Sequence, residues 1–231
     1  MKDVEPKKVD KLFLTIILLL TGIGLIFFIS ASLGVLAKRE TKFYNILFTQ
    51  LAVGLVGGML ALYLTARINY KVWRRYAFFF LLAALGLSLL VFVPSLGLEH
   101  GGATRWVSLG FISFQPAEFL KIAFIIYFAS WLSAVREKAD SFKYGLLPFF
   151  VLLGIIAAIL LKQPDTKSLI LMFVTGCAMY FMTGVSIKKI MIIGGISIAG
   201  FALLAFTTPY LRDRVKTFMN PDHDPRGSSY Q

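Results

Sequence analysis

The chain has 231 residues, of which 58% are hydrophobic and 16% charged, and its formal net charge is +12. An ordinary soluble domain carries about 25% charged residues, so a water-soluble fold of this composition would expose much apolar surface. A basic balance also suits nucleic acid, but that function needs a polar folded domain with a basic face. No stretch here is polar enough, and nucleic-acid binding is excluded. Cys177 is the only cysteine, which rules out an internal disulfide and reads as a small apolar residue inside a helix.

Apolar runs separated by short charge clusters predict an all-α, polytopic membrane protein with seven transmembrane helices. In chain order they cover about 12–33, 46–66, 76–93, 115–134, 146–161, 168–185 and 190–208. The first opens LFLTIILLLTGIGLIFFIS. It is too long for a signal-peptide core and has no evident small-residue cleavage site after it, so it is expected to stay as an anchor. The fifth and sixth are short for a bilayer core of about 30 Å and suit tilting or burial by neighbours. Trp73, Trp106 and Trp131 fall near helix ends or connections, where amphipathic rings prefer to sit.

Lys2, Lys7, Lys8 and Lys11 precede the first helix, which favours a cytoplasmic N-terminus. Arg67, Lys71, Arg74, Arg75, Arg136, Lys138, Lys143, Lys188 and Lys189 then share the cytoplasmic side. Seven crossings place 209–231 outside, as the start of a large extracytoplasmic loop. That stretch, TPYLRDRVKTFMNPDHDPRGSSYQ with the threonine before it, reads as a polar loop without a closing helix.

Two charges fall inside an apolar span, Glu118 and Lys121 on the fourth helix. Their spacing of three places them on one helix face. A charge at the bilayer centre costs about 2.5–3.5 kcal/mol on insertion scales, so the pair either locks helices together or snorkels to the interface, or it serves as an anionic-substrate contact or a proton-sensitive site. Just before it runs GGATRWVSLGFISFQP, with Arg105 offering a planar fork suited to phosphate and Pro116 suited to a first helical turn. Between the fifth and sixth helices KQPDTKS sets Asp165 beside Lys162 and Lys167. Asp165 either caps the sixth helix or faces an external cavity and holds a basic group there. Asp222, His223 and Asp224 read as a polar turn between Pro221 and Pro225, and no His or Cys pair has zinc-ligand spacing. There is no nucleophile elbow, phosphate-cradling loop or dinucleotide motif.

Five segments, in order, carry a resemblance. They are Ser30-Ala31-Ser32; Gly102-Ala103-Thr104-Arg105-Trp106; Ser113-Phe114-Gln115-Pro116-Ala117-Glu118 with Lys121; Gln163-Pro164-Asp165; and Asn220-Pro221 followed by Asp224-Pro225, Gly227 and Tyr230-Gln231. The chain resembles the SEDS family (shape, elongation, division and sporulation; FtsW, RodA and SpoVE), and its SASL and SSYQ segments look closer to the division branch. The resemblance implies a bacterial inner-membrane protein of about ten helices that sits at the division septum. It implies a peptidoglycan glycosyltransferase that polymerises lipid II, an undecaprenyl-pyrophosphate-linked disaccharide-peptide. A class B penicillin-binding protein, other division proteins and membrane lipids are the implied partners. Arg105, Glu118, Lys121 and Asp165 become candidate substrate-binding residues, with Arg105 and Lys121 at the pyrophosphate, Glu118 orienting Lys121 and Asp165 supporting the cavity. No cofactor is evident, no metal ligand set is assigned, and a divalent cation is left open.

The chain also departs from the family pattern. Thr166-Lys167-Ser168 stand where Leu-Gly-Thr is usual, and Thr104 where a first arginine is common. The resemblance places the catalytic aspartate in a His-Thr-Asp-Phe stretch beyond Gln231, so no catalytic residue is assigned, and the chain is expected to be the front part of the fold and inactive alone. Two other readings stand beside the polymerase, a lipid II flippase and a non-catalytic scaffold of the division machinery.

Overall fold

The computed structural model describes residues 10–36, 44, 47–100, 103–110, 113–207 and 212. It divides into two units, Met1–Asn69 and Tyr70–Gln231. In the first, α1 spans Lys11–Leu36. Asp10 caps it, its Oδ1 accepting the backbone N–H of Phe13 at 3.1 Å and so satisfying one of the first-turn donors. Leucine and isoleucine lie around the whole circumference of α1 and are exposed, which is what a lipid-facing span needs. A π-helical segment Thr49–Val56 leads into α2, Gly57–Arg67.

The second unit holds five helices among the described residues. α3 spans Tyr70–Leu89 and tightens into a 3₁₀ turn, Leu90–Phe92. α4 is Pro116–Ala134, α5 Leu147–Lys162, α6 Thr166–Phe181 and α7 Ile187–Thr207. α3 begins well before the expected start at 76, because Tyr70–Arg75 extend the helix with polar side chains that hydropathy does not count. Among the described residues, five segments are long and apolar enough to cross a membrane: Lys11–Leu33, Gln50–Arg67, Tyr70–Phe92, Pro116–Ala134 and Phe142–Lys162. α6 has only 16 residues, about 24 Å at 1.5 Å per residue, shorter than a typical bilayer core.

The core of this unit is one apolar cluster. Leu120, Phe124 and Phe128 recur every fourth residue along one face of α4 and meet Phe149, Leu152, Leu153, Ile156 and Leu160 of α5, with Met172 and Tyr180 of α6. Phe124 stacks on Phe128 at 5.7 Å between centroids, and Phe149 lies 5.1 Å from Phe128. Lipid tails are as apolar as these side chains, so burial alone does not drive helices together in a bilayer, and close packing must. Gly176 supplies it. A Cβ there would run into the Phe149 ring and come within 3.1 Å of Phe124 Cζ.

One element is absent from the expectation. The α3–α4 connection folds into a three-stranded antiparallel sheet in the order β1-β2-β3, with β1 Gly97–His100, β2 Ala103–Ser108 and β3 Ser113–Phe114. Strands of four, six and two residues are too short to show periodicity. Val107 of β2 is fully buried and Ala103 nearly so, which seats the sheet on the unit beneath it. The stretch 209–231, including the Asp222-His223-Asp224 turn and the last resemblance segment, lies outside the described residues except Arg212.

Candidate functional site

Four candidate residues come from three places in the second unit, and hydrogen bonds bring two of them to one junction. Arg105 lies on β2, Glu118 and Lys121 on the first turns of α4, and Asp165 at the N-cap of α6. The α5–α6 turn is the meeting point. Arg105 Nη2 donates to the Pro164 carbonyl at 2.6 Å, and its Nε to the Gln163 carbonyl at 3.3 Å. These are carbonyls at the end of α5, where intrahelical partners run out. The guanidinium fork therefore ties the sheet to the turn.

Asp165 is 4% exposed. Its Oδ1 accepts the Ser168 backbone N–H at 3.3 Å and its Oδ2 accepts the Ser168 hydroxyl at 2.8 Å, as an N-cap should. The same Oδ2 accepts from Gln115 Nε2 at 3.0 Å. Of the two sequence readings, the helix cap is the one seen. Lys162 and Lys167 do not supply its partners; an amide, a hydroxyl and a backbone N–H do.

Gln115 is the N-cap of α4, with Pro116 at the first helical position as expected. Its bond to Asp165 ties the start of α4 to the start of α6. Gln163, only 1% exposed, donates through Nε2 to the Ser88 carbonyl of α3 at 2.7 Å. Ser88 Oγ in turn donates to the Ala84 carbonyl. One knot thus joins α3, β2, α4, α5 and α6 at the same end of the unit. The two glutamines were visible only as letters of a motif. A signal for their role was available, since a glutamine flanking an apolar span must find partners as water thins out.

Glu118 and Lys121 sit one turn into α4 from this knot. Lys121 Nζ lies 2.8 Å from both Glu118 oxygens. The side chains are 20% and 58% exposed for Lys121 and Glu118 respectively. The pair is therefore formed but not enclosed by the second unit. A carboxylate so open within a membrane-spanning segment must meet water, protein or ligand rather than lipid tails.

A cleft of about 500 Å³ opens beside the knot. Glu99 of β1, Thr104 of β2, Lys162 and Pro164 line it together with the backbone turn at Val93 and Pro94. Among the described residues no group of three or more His, Cys, Asp or Glu side chains could hold a metal ion.

Comparison with known proteins decides the family. The FtsW/RodA/SpoVE family model, described as "Cell cycle protein", matches residues 10–231. The chain belongs to this family. A probable peptidoglycan glycosyltransferase FtsW of Geobacter sulfurreducens is 34% identical over 228 residues, covering 98% of this chain and 61% of the relative. Stage V sporulation protein E of Bacillus subtilis is 32% identical over 224 residues, covering 96% of this chain and 60% of the relative. Among solved structures, a chain of a peptidoglycan synthase complex, described for its coordination of polymerization and crosslinking, matches with a TM-score of 0.66 at 25% identity. It covers 88% of this chain and 60% of that one. The rod shape determining protein RodA of Thermus thermophilus matches with a TM-score of 0.57 at 27% identity, covering 76% of this chain and 57% of RodA. This family member spans about 60% of the length of the curated relatives it matches. It is a mostly helical integral membrane protein.

Proposed function

We propose that the protein is a peptidoglycan glycosyltransferase that polymerises lipid II during cell division, with its N-terminus in the cytoplasm and its site on the outer face at the septum. The observation that carries this reading is the Glu118–Lys121 pair, formed at 2.8 Å and open beside a braced junction of five elements. Glycan polymerisation joins a sugar hydroxyl to an anomeric carbon as a pyrophosphate departs. The reaction needs a base at the hydroxyl and fixed positive charge at the leaving group. Lys121 is assigned to the pyrophosphate, and Glu118 holds the ammonium in place through both carboxylate oxygens. The names of the relatives, FtsW among them, support the reaction class.

Arg105 and Asp165 take a different part from Lys121. The Arg105 guanidinium is engaged on carbonyls and the Asp165 carboxylate is buried in a cap. Both are positioning residues that hold the outer sheet and the α5–α6 turn around the substrate. The synthase-complex match supports a class B penicillin-binding protein as the partner that crosslinks the product.

The test uses protein from the complete open reading frame in cells carrying Lys121→Gln as the sole copy. Loss of glycan polymerisation with normal lipid II exposure on the outer face is the expected result. Loss of exposure would make the protein a lipid transporter instead, and normal polymerisation would remove Lys121 from the site.

A further inference from the structure

Among the described residues of the second unit, the charges are divided unevenly between its two ends. The end opposite the knot holds the start of α3, the α4–α5 connection and the α6–α7 turn. The Tyr180 hydroxyl of α6, donating to the Ala139 carbonyl at 2.7 Å, and Lys189 of α7, donating to the Asp140 carbonyl at 2.7 Å, tie the α4–α5 connection to α6 and α7. Lys71, Arg74, Arg75, Arg136 and Lys188 are all exposed there. Their acidic company is Glu137 and Asp140. Asp140 is already taken by Lys189, Nζ to Oδ2 at 2.5 Å.

Within this end one spot is more ordered than a scatter of basic residues. Lys138 Nζ lies 5.5 Å and Lys143 Nζ 5.6 Å from the centroid of the Tyr144 ring. Two ammonium groups thus lie over one aromatic ring at cation–π distance. Among the described residues neither lysine makes an ion pair. The segment beneath them is held in place. Trp131 Nε1 donates to the Tyr144 carbonyl at 3.0 Å, and the Tyr144 N–H donates to Ser141 Oγ at 3.2 Å. A Cβ on Gly145 would overlap the Ala139 carbonyl and approach Tyr180 Oη within 2.5 Å, so the turn has little room to shift.

The surroundings select the ligand. The π-helical turn Phe142–Leu146 and the start of α5 carry exposed apolar side chains, Phe142, Leu147 and Val151, running from the charged end into the span. Paired cations at a helix end, an amphipathic ring at the same level and an apolar track below match one molecule in three parts. We propose that Lys138, Lys143 and Tyr144 form a binding site for an anionic phospholipid of the surrounding membrane. Its phosphate meets the two ammonium groups beside the Tyr144 ring, its glycerol edge rests on Tyr144, and its acyl chains follow Phe142, Leu147 and Val151. Basic residues at an anionic leaflet strengthen binding, and here the two are held by one ring instead of moving independently. The proposal stands apart from the polymerase reading and needs only that the helices span a bilayer.

The experiment titrates delipidated protein, from the complete open reading frame in detergent, with phosphatidylglycerol and reads bound lipid by native mass spectrometry. Lys138→Gln with Lys143→Gln should weaken phosphatidylglycerol binding by about fivefold per lysine, the factor matching the energy of one basic residue at an anionic surface. Lys162→Gln with Lys167→Gln, at the opposite end, should leave it unchanged, and this control also shows that charge removal alone is not the cause. Phosphatidylcholine should bind the wild type no better than the double variant. Equal phosphatidylglycerol binding by wild type and the Lys138/Lys143 variant would overturn the proposal. So would displacement of the lipid by inorganic phosphate alone, which would make the site one for free phosphate.

Discussion

If Arg105 is a clamp, its removal must cost stability before it costs anything else. Its bonds include a short one, 2.6 Å to the Pro164 carbonyl, and a long one, 3.3 Å to the Gln163 carbonyl. Hydrogen bonds to charged groups contribute about 1.5–3 kcal/mol each, and the long one lies at the weak end of the geometric range. Arg105 is half-buried, so solvent replaces part of what is lost. Arg105→Ala should therefore destabilise by roughly 2–3 kcal/mol. For a domain of this size that is a fall in Tm of roughly 5–10 °C, read by circular dichroism of the purified protein in detergent. Arg105→Lys should recover about half, because an ammonium reaches one carbonyl but cannot fork onto two. Protease cleavage within 97–114 should rise in step with the loss. An Arg105→Ala protein that melts like the wild type but no longer uses lipid II would refute the clamp and return Arg105 to the pyrophosphate.

The remaining predictions concern packing, the cap and the far end of the unit. Gly176→Leu should destabilise by at least 1–3 kcal/mol through overpacking against Phe149 and Phe124; a wild-type melting curve would mean α6 does not approach α4 and α5 closely. Asp165→Ala should cost about 1 kcal/mol for the lost cap and further stability for the unpartnered Gln115 amide, with Asp165→Asn milder because one oxygen still accepts from Ser168. Equal melting of the two variants would show that the retained Ser168 cap bond contributes nothing. Lys189→Gln should change stability by less than about 1 kcal/mol, as surface ion pairs do, because Asp140 is exposed and Lys189 partly so.

Much of the architecture was legible because a bilayer imposes a simple rule on a helix, and the apolar runs obey it. The start of α4 was readable from Pro116 and the start of α6 from Asp165, both through local capping chemistry. The sheet was not, since β1 to β3 are held by pairing between short strands, such as Val107 opposite Phe114, and pairing has no local signature. At the site, the sequence singled out Arg105, Glu118, Lys121 and Asp165 but could not assign their partners. Arg105 had the form of a phosphate binder, and only the folded chain shows Gln163 and Pro164 under its fork. Glu118 and Lys121, three residues apart on one helix, were predictable as a pair; their openness depends on what packs against α4, which no spacing reveals.

The central claim, that Lys121 contacts a departing pyrophosphate, is tested most directly by polymerising purified fluorescent lipid II with protein from the complete open reading frame, with a class B penicillin-binding protein added. Wild-type protein should make long glycan strands, and Lys121→Met should lower kcat by about 10²–10³, the loss expected when one donor to a developing anion is removed, while its melting temperature stays close to wild type. Strand formation by Lys121→Met at the wild-type rate would contradict the account.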